Sequence, residues 1–135
     1  MKKIFLSLPM SGRSDDEIEA QIAEMKAEFL LKNPLHGDEE IIFVHNFEKM
    51  EAITSTYNSI TGMERVTPAL FYLGRAINKM AYCDGVYFGK GWTKARGCMM
   101  EYNVALEYGL SRYIRLRDGS IQRVSNKKNV ERIVY

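Results

Sequence analysis

Short apolar runs alternate along this chain with stretches of helical spacing, and that alternation most narrows what it can fold into. Residues 3–8 are apolar and β-prone and are broken by Pro9 and Gly12, which predicts a strand ending in a loop. Ser14-Asp15-Asp16-Glu17 has the form of a capping box, and Ile18, Ile22, Met25 and Phe29 follow at helical spacing to about Leu31. Asn33-Pro34-Leu35-His36-Gly37 ends that helix. The continuous run Ile41-Ile42-Phe43-Val44 predicts a strand covered on both faces.

Residues 46–66 read as a long connection containing at most one short helix, of the kind that forms binding loops. Thr67-Pro68 places a cap and an N1 proline ahead of a second helix, which Leu70, Phe71, Ile77 and Met80 predict to be largely buried. Gly85 to Phe88 is the third strand. A third helix is expected from about Gly97 to Tyr108, closed by Gly109, and Tyr113–Leu116 is the fourth strand. Asp118-Gly119 is a turn, and Ile121 to Tyr135 offers an edge strand, a short helix or a subunit contact.

Such alternation implies an α/β domain with a mostly parallel sheet of four to five strands and helices on both faces. At 135 residues the chain is the size of one such domain. Ligands of these sheets bind beyond the carboxyl ends of the strands, which directs attention to Leu8–Ser14, His45–Glu48 and Gly89–Gly97.

Charge is uneven. Of 19 Lys/Arg and 17 Asp/Glu, residues 112–135 carry 7 and 2, so a basic C-terminal segment (118–135 at its core) follows a mildly acidic body. A solvated surface strand and tail explains this segment, with a phosphate or nucleic-acid contact as the alternative. It lacks the interleaved aromatics of a stacking surface, and no nucleic-acid partner is expected. Cys83 and Cys98 suit a reducing compartment, and with His36 and His45 they do not show zinc-ligand spacing. No metal and no cofactor are expected. Met1-Lys2-Lys3 and the apolar run after it mimic a signal peptide, but the run stops at Ser11-Gly12-Arg13 and an acidic helix follows. No stretch approaches the roughly 20 apolar residues of a membrane span. A cytoplasmic protein without a membrane partner is the expectation.

Chemistry concentrates in two places. The loop Leu8-Pro9-Met10-Ser11-Gly12 joins a strand to a helix amino terminus, where backbone N–H groups can cradle an anion or a sugar hydroxyl. It is neither a dinucleotide fingerprint nor a P-loop. The second place is Cys83-Asp84-Gly85-Val86-Tyr87-Phe88, followed by Gly91 to Glu101. Asp84 heads the strand and is either a turn residue or a ligand contact. Glu101 is expected in the first turn of the third helix, after a tight turn at Gly97, where the macrodipole favours the carboxylate. An acidic residue there also serves simply to stabilise the helix. Trp92, Lys94 and Arg96 offer contacts to a flat base or an anion, or are ordinary surface residues. Tyr87, Phe88, Met99 and Met100 read as packing.

Taken together, Lys3 to Gly12, Cys83 to Phe88 and Gly91 to Glu101 resemble the small DUF4406 proteins of bacteria and phages, relatives of the nucleoside 2-deoxyribosyltransferase superfamily. The resemblance covers both ends of the first 110 residues and not residues 33–66. It implies one Rossmann-like (flavodoxin-like) three-layer domain over 1–135, with 46–66 an active-site connection. It also implies cleavage or exchange of an N-glycosidic bond of a nucleoside or nucleotide. In that pattern Glu101 attacks the anomeric carbon, by the covalent logic of retaining glycosidases. Asp84 holds or protonates the departing base. Ser7, Pro9, Met10, Ser11 and Gly12 hold the sugar or its 5′ substituent, with Trp92, Lys94, Arg96 and Gly97 completing the substrate contacts. Relatives commonly carry a serine six positions before the glutamate, and here that position is Ala95. The departure weakens the case for a monophosphate unless Arg96 or Lys94 substitutes, and it leaves a non-catalytic nucleotide sensor as the alternative. The resemblance also implies a homo-oligomer, a dimer or a multiple of one.

Overall fold

A computed structural model describes residues 1–48 and 68–124. Strand β1 (Lys2–Ser7) leads into helix α1 (Asp15–Lys32), followed by β2 (Ile41–His45), α2 (Pro68–Met80) and β3 (Gly85–Phe88). A single 3₁₀ turn (Trp92–Lys94), α3 (Arg96–Glu107), β4 (Ser111–Arg115) and β5 (Ile121–Val124) complete the described elements. The expected cap at Thr67 and most of the 46–66 connection lie outside the described residues, as does the basic segment beyond Val124.

The strands form one sheet in the order β2-β1-β3-β4-β5, with β5 alone antiparallel. This is a Rossmann-like α/β domain of the flavodoxin-like order, with α1 on one face and α2 and α3 on the other. The order in which strands are added reverses between β1 and β3, and the crevice at their carboxyl ends is where such sheets take ligands.

Local sequence explains the elements. Ser14 accepts from the Glu17 N–H at 3.2 Å and Glu17 accepts in return from the Ser14 N–H at 3.3 Å, so the capping box forms. Helix α1 buries Ile18, Ile22, Met25 and Phe29, as their spacing requires. Phe29 meets Phe43, Tyr87 and Tyr113 with ring centroids 5.8, 5.2 and 5.4 Å away, tying α1 to three strands at once. Truncating such a residue to alanine costs about 3–5 kcal/mol. Gly109, at φ +71°, follows α3 as its sequence position predicts.

Two expectations fail for positional reasons. The Ile41–Val44 run is an edge strand and is half-buried along its length, because β2 has a neighbour on one side only. Helix α2 is not largely buried. Only Ala76 and Met80 are fully covered and Leu70 is exposed, because the helix lies on the sheet along one stripe.

Strand β3 is closely walled. A Cβ at Gly85 would lie 2.8 Å from Tyr113 Cε2, and one at Gly89 would lie 2.7 Å from Met25 Sδ and 2.8 Å from Gln21 Nε2. Neither position admits a side chain without displacing its neighbours.

Candidate functional site

Ser7 closes β1 in register with Phe88, and the Gly89 N–H donates to the Ser7 carbonyl at 2.8 Å, carrying the ladder one step past β3. Side chains alternate along a strand, so Ser7 shares a face with Phe5, which packs in the α2/α3 core. That face is covered by α3, and the Ser7 hydroxyl donates to Glu101 Oε1 at 2.6 Å. Both groups are buried, Ser7 at 1% and Glu101 at 9% exposure. A carboxylate bonded by a hydroxyl in a dry setting is stronger than the same pair in water.

Glu101 is not in the first turn of its helix. Helix α3 begins at Arg96, and its first turn holds no acidic residue, so Glu101 lies in the second turn. The macrodipole acts within the first turn, and burial dominates instead. Burial pushes the Glu101 carboxyl up to about 7 from its ordinary 4.5, against the opposing effect of the Ser7 hydrogen bond. The carboxyl thus titrates near neutrality, as a group that changes protonation during a reaction should.

Cys98, one turn earlier on α3, is also buried at this point. Burial pushes its thiol up to about 12, with a hydrogen bond to Ser7 opposing. At neutral pH it is therefore a thiol and no nucleophile. Sequence reading left Cys98 aside; its spacing of three from Glu101 was the available signal.

Asp84 is elsewhere. It heads β3 at the amino edge of the sheet, exposed, its Oδ2 accepting the Lys3 N–H at 2.8 Å while its own N–H donates to the Lys3 carbonyl at 2.7 Å. Four residues of parallel strand, about 13 Å, separate it from Phe88 at the ligand edge. The role of holding or protonating a departing base therefore does not pass to Asp84, which clasps β1 to β3.

Trp92 is not a stacking platform either. It is 3% exposed, its ring lies 4.9 Å from Tyr102 at 23°, and Phe88 meets it at 5.0 Å. It anchors the loop before α3 to the core. Beside it, Arg112 stands over the other ring of the stack, 5.1 Å from the Tyr102 centroid, and donates to the Tyr102 hydroxyl at 3.1 Å. Gly97 does not make a tight turn, since it is already helical and a Cβ there would meet nothing within 4 Å. Lys94, Arg96 and Gly97 are exposed, and Ala95 stands at the N-cap with no side-chain cap bond.

The first loop is held rather than free. Arg13 donates to the Pro9 carbonyl at 2.7 Å and to Gln21 Oε1, and Gln21 Nε2 donates to the Lys90 carbonyl at 3.2 Å. The Arg13 N–H also closes a turn onto the Met10 carbonyl at 3.2 Å. Pro9 lies 3.3 Å from where a Gly91 Cβ would stand, so the first and third loops touch. Ser11 and Gly12 are exposed at the tip, and Met10 packs on the α1 core. Arg13 carries this arrangement and was not singled out from sequence; a basic residue directly before a capping box was its only mark.

On the α1 side a small cavity at the carboxyl edge is lined by Gln21, Met25, Glu28, Tyr87, Gly89 and Arg115, and charge pairing spans its wall. Arg115 binds Glu28 at 2.6 Å, and the Tyr87 hydroxyl reaches the other Glu28 oxygen at 3.4 Å. The buried carboxyl that titrates near neutrality is in the Ser7–Glu101 pair on the α2/α3 side. Among the described residues, no three His, Cys, Asp or Glu side chains are grouped to hold a metal ion, and no helix is long and apolar enough to cross a membrane. Comparison with protein-family models, with curated proteins and with solved structures finds no match to this chain.

Proposed function

We propose that the protein breaks or exchanges the N-glycosidic bond of a nucleoside or nucleotide, with Glu101 as the nucleophile. The observation that supports this is the 2.6 Å bond from the Ser7 hydroxyl to one oxygen of a buried glutamate at the β1/β3 switch point. The hydroxyl fixes the carboxylate through Oε1 and leaves Oε2 for the anomeric carbon. In the first step the Oε2–C1′ bond forms and the C1′–N bond breaks, the bonding pair leaving with the base, which takes a proton from solvent water. In the second, water or another base attacks C1′ and the carboxylate departs. The attacking form is the anion. A carboxyl that titrates near 7 is half ionised there, so the rate rises with pH through neutrality.

The exposed tip Ser11-Gly12 and the cations Lys94 and Arg96 are the groups proposed for the sugar and any 5′ substituent. Two free, buried cysteines accord with a cytoplasmic setting, and a homo-oligomer is the proposed assembly. The placement of Asp84 at the far edge favours a second reading, a nucleotide-binding sensor without turnover, because the acid expected to serve the departing base stands away from Glu101.

The deciding experiment is chromatographic detection of free base after incubation with a panel of nucleosides and their monophosphates. Release by wild type that vanishes in Glu101→Ala establishes the reaction. No release at high enzyme concentration, with thermal stabilisation by the same panel, establishes the sensor.

A further inference from the structure

A second polar group stands beside the Ser7–Glu101 pair on the same face of the sheet. The last registered pair of β1 and β2 is Leu6 with His45, so Ser7 and Asn46 follow side by side, one strand spacing (about 4.8 Å) apart. Two residues earlier, Phe5 and Val44 both pack in the α2/α3 core. Ser7 and Asn46 therefore leave the sheet on that side. Their bonds agree with this: Ser7 reaches Glu101 on α3, and Asn46 Nδ2 donates to the Tyr72 carbonyl on α2 at 2.7 Å.

The Tyr72 carbonyl can only accept, which fixes the Asn46 amide with its oxygen turned away. That oxygen, Asn46 Oδ1, is buried with no hydrogen-bond partner among the described residues. Glu48 Oε1 pairs with Arg75 at 2.7 Å, while buried Glu48 Oε2 and Arg75 Nη1 likewise have no partner. Arg75 is steadied further by the Tyr72 ring, 5.6 Å from its guanidinium carbon. Buried polar atoms in native proteins are nearly always satisfied, and these three, drawn together where the loop after β2 meets α2, are the ones a ligand there would satisfy. They comprise two acceptors and one donor.

We propose that Asn46, Glu48 and Arg75 form the base-recognising half of the site and select a purine or pyrimidine that bears an exocyclic amino group. The inference rests on the nucleoside reading above for the class of ligand. An amino-bearing base presents N–H donors beside a ring or carbonyl acceptor, which matches two acceptors and a donor. Its deaminated counterpart puts a carbonyl where the amino group was, opposite the Glu48 or Asn46 oxygen, and the mismatch leaves buried acceptors facing each other.

The test is calorimetric binding of two shape-matched pairs, adenosine against inosine and cytidine against uridine, to Glu101→Gln protein, with base release measured on wild type. The amino member should bind at least about tenfold tighter, the worth of one hydrogen bond to a charged group. Adding Glu48→Gln keeps an oxygen for Arg75 and turns an N–H₂ to the ligand, so the preference should reverse. Asn46→Ala, which adds no donor, should lower the preference without reversing it, and covers the case that the glutamine variant does not fold. Equal affinity within each pair overturns the inference while base release by wild type leaves the glycosyl reading standing. Discrimination without base release supports the inference and overturns the chemistry. Neither binding nor release overturns both.

Discussion

The two carboxylates that stand out in this sequence, Glu101 and Asp84, end up in opposite circumstances. Glu101 is buried at the carboxyl edge of the sheet, bonded by one hydroxyl, with its proton held up to about pH 7. Asp84 is exposed at the amino edge and bonded to the main chain of the neighbouring strand. One is arranged to change charge and the other to keep two strands together. The difference is set by where each falls along a parallel strand and its following helix, since the two ends of such a sheet face different chemistry.

The comparison breaks if the two carboxylates prove interchangeable. The largest expected contrast is in turnover: Glu101→Ala should lower base release by at least about a thousandfold, as loss of a nucleophile does, while Asp84→Ala leaves it unchanged. Chromatography of the released base on both variants reads this directly. An equal loss in Asp84→Ala would return Asp84 to the reaction.

Next in size is a pH effect on stability. Folding raises the Glu101 carboxyl from 4.5 to about 7, so the native state keeps a proton that the unfolded chain gives up. The resulting stability is complete below pH 4.5 and is lost as pH rises through 7. Glu101→Gln cannot titrate. Relative to wild type it should gain about 2–3 kcal/mol between pH 4.5 and pH 8.5, measured by urea unfolding at both. Parallel pH curves would mean that the carboxyl is solvated. Smaller again is the effect of Ser7→Ala. The Ser7 bond lowers the Glu101 value, so its removal should move the midpoint of the pH–rate profile upward. The smallest effect is on Asp84: Asp84→Ala should cost about 1 kcal/mol of stability, one strand clasp.

Local signals in the sequence were sufficient for the elements. The Ser14–Glu17 box, the Ile18–Phe29 spacing, Gly109 and the Asp118-Gly119 turn each act over three or four residues, and each forms as read. Glu101 stands out in the sequence, but not the reason for its titration, because its burial depends on β1 lying beneath α3. Trp92 shows the same gap. Its loop position suggests a platform for a base, and only the stack with Tyr102, ten residues on, reveals an anchor. Asn46, Glu48 and Arg75 carry no shared motif; a loop beyond β2 and a helix some 30 residues later meet only through the fold.

The glycines that wall β3 have a consequence for how the gene can drift. Sliding the strand by one residue would bring Phe88 or Lys90 against the ends of Met25 and Gln21, and Asp84 or Val86 beneath Tyr113 and the Ser111 carbonyl, so those neighbours would have to move. Insertions and deletions are therefore accommodated at least cost before Gly85 or after Gly89, in the turn from α2 or the loop toward α3. The interval between these two glycines is a fixed ruler, and a diverged relative whose other landmarks have faded should still align on it.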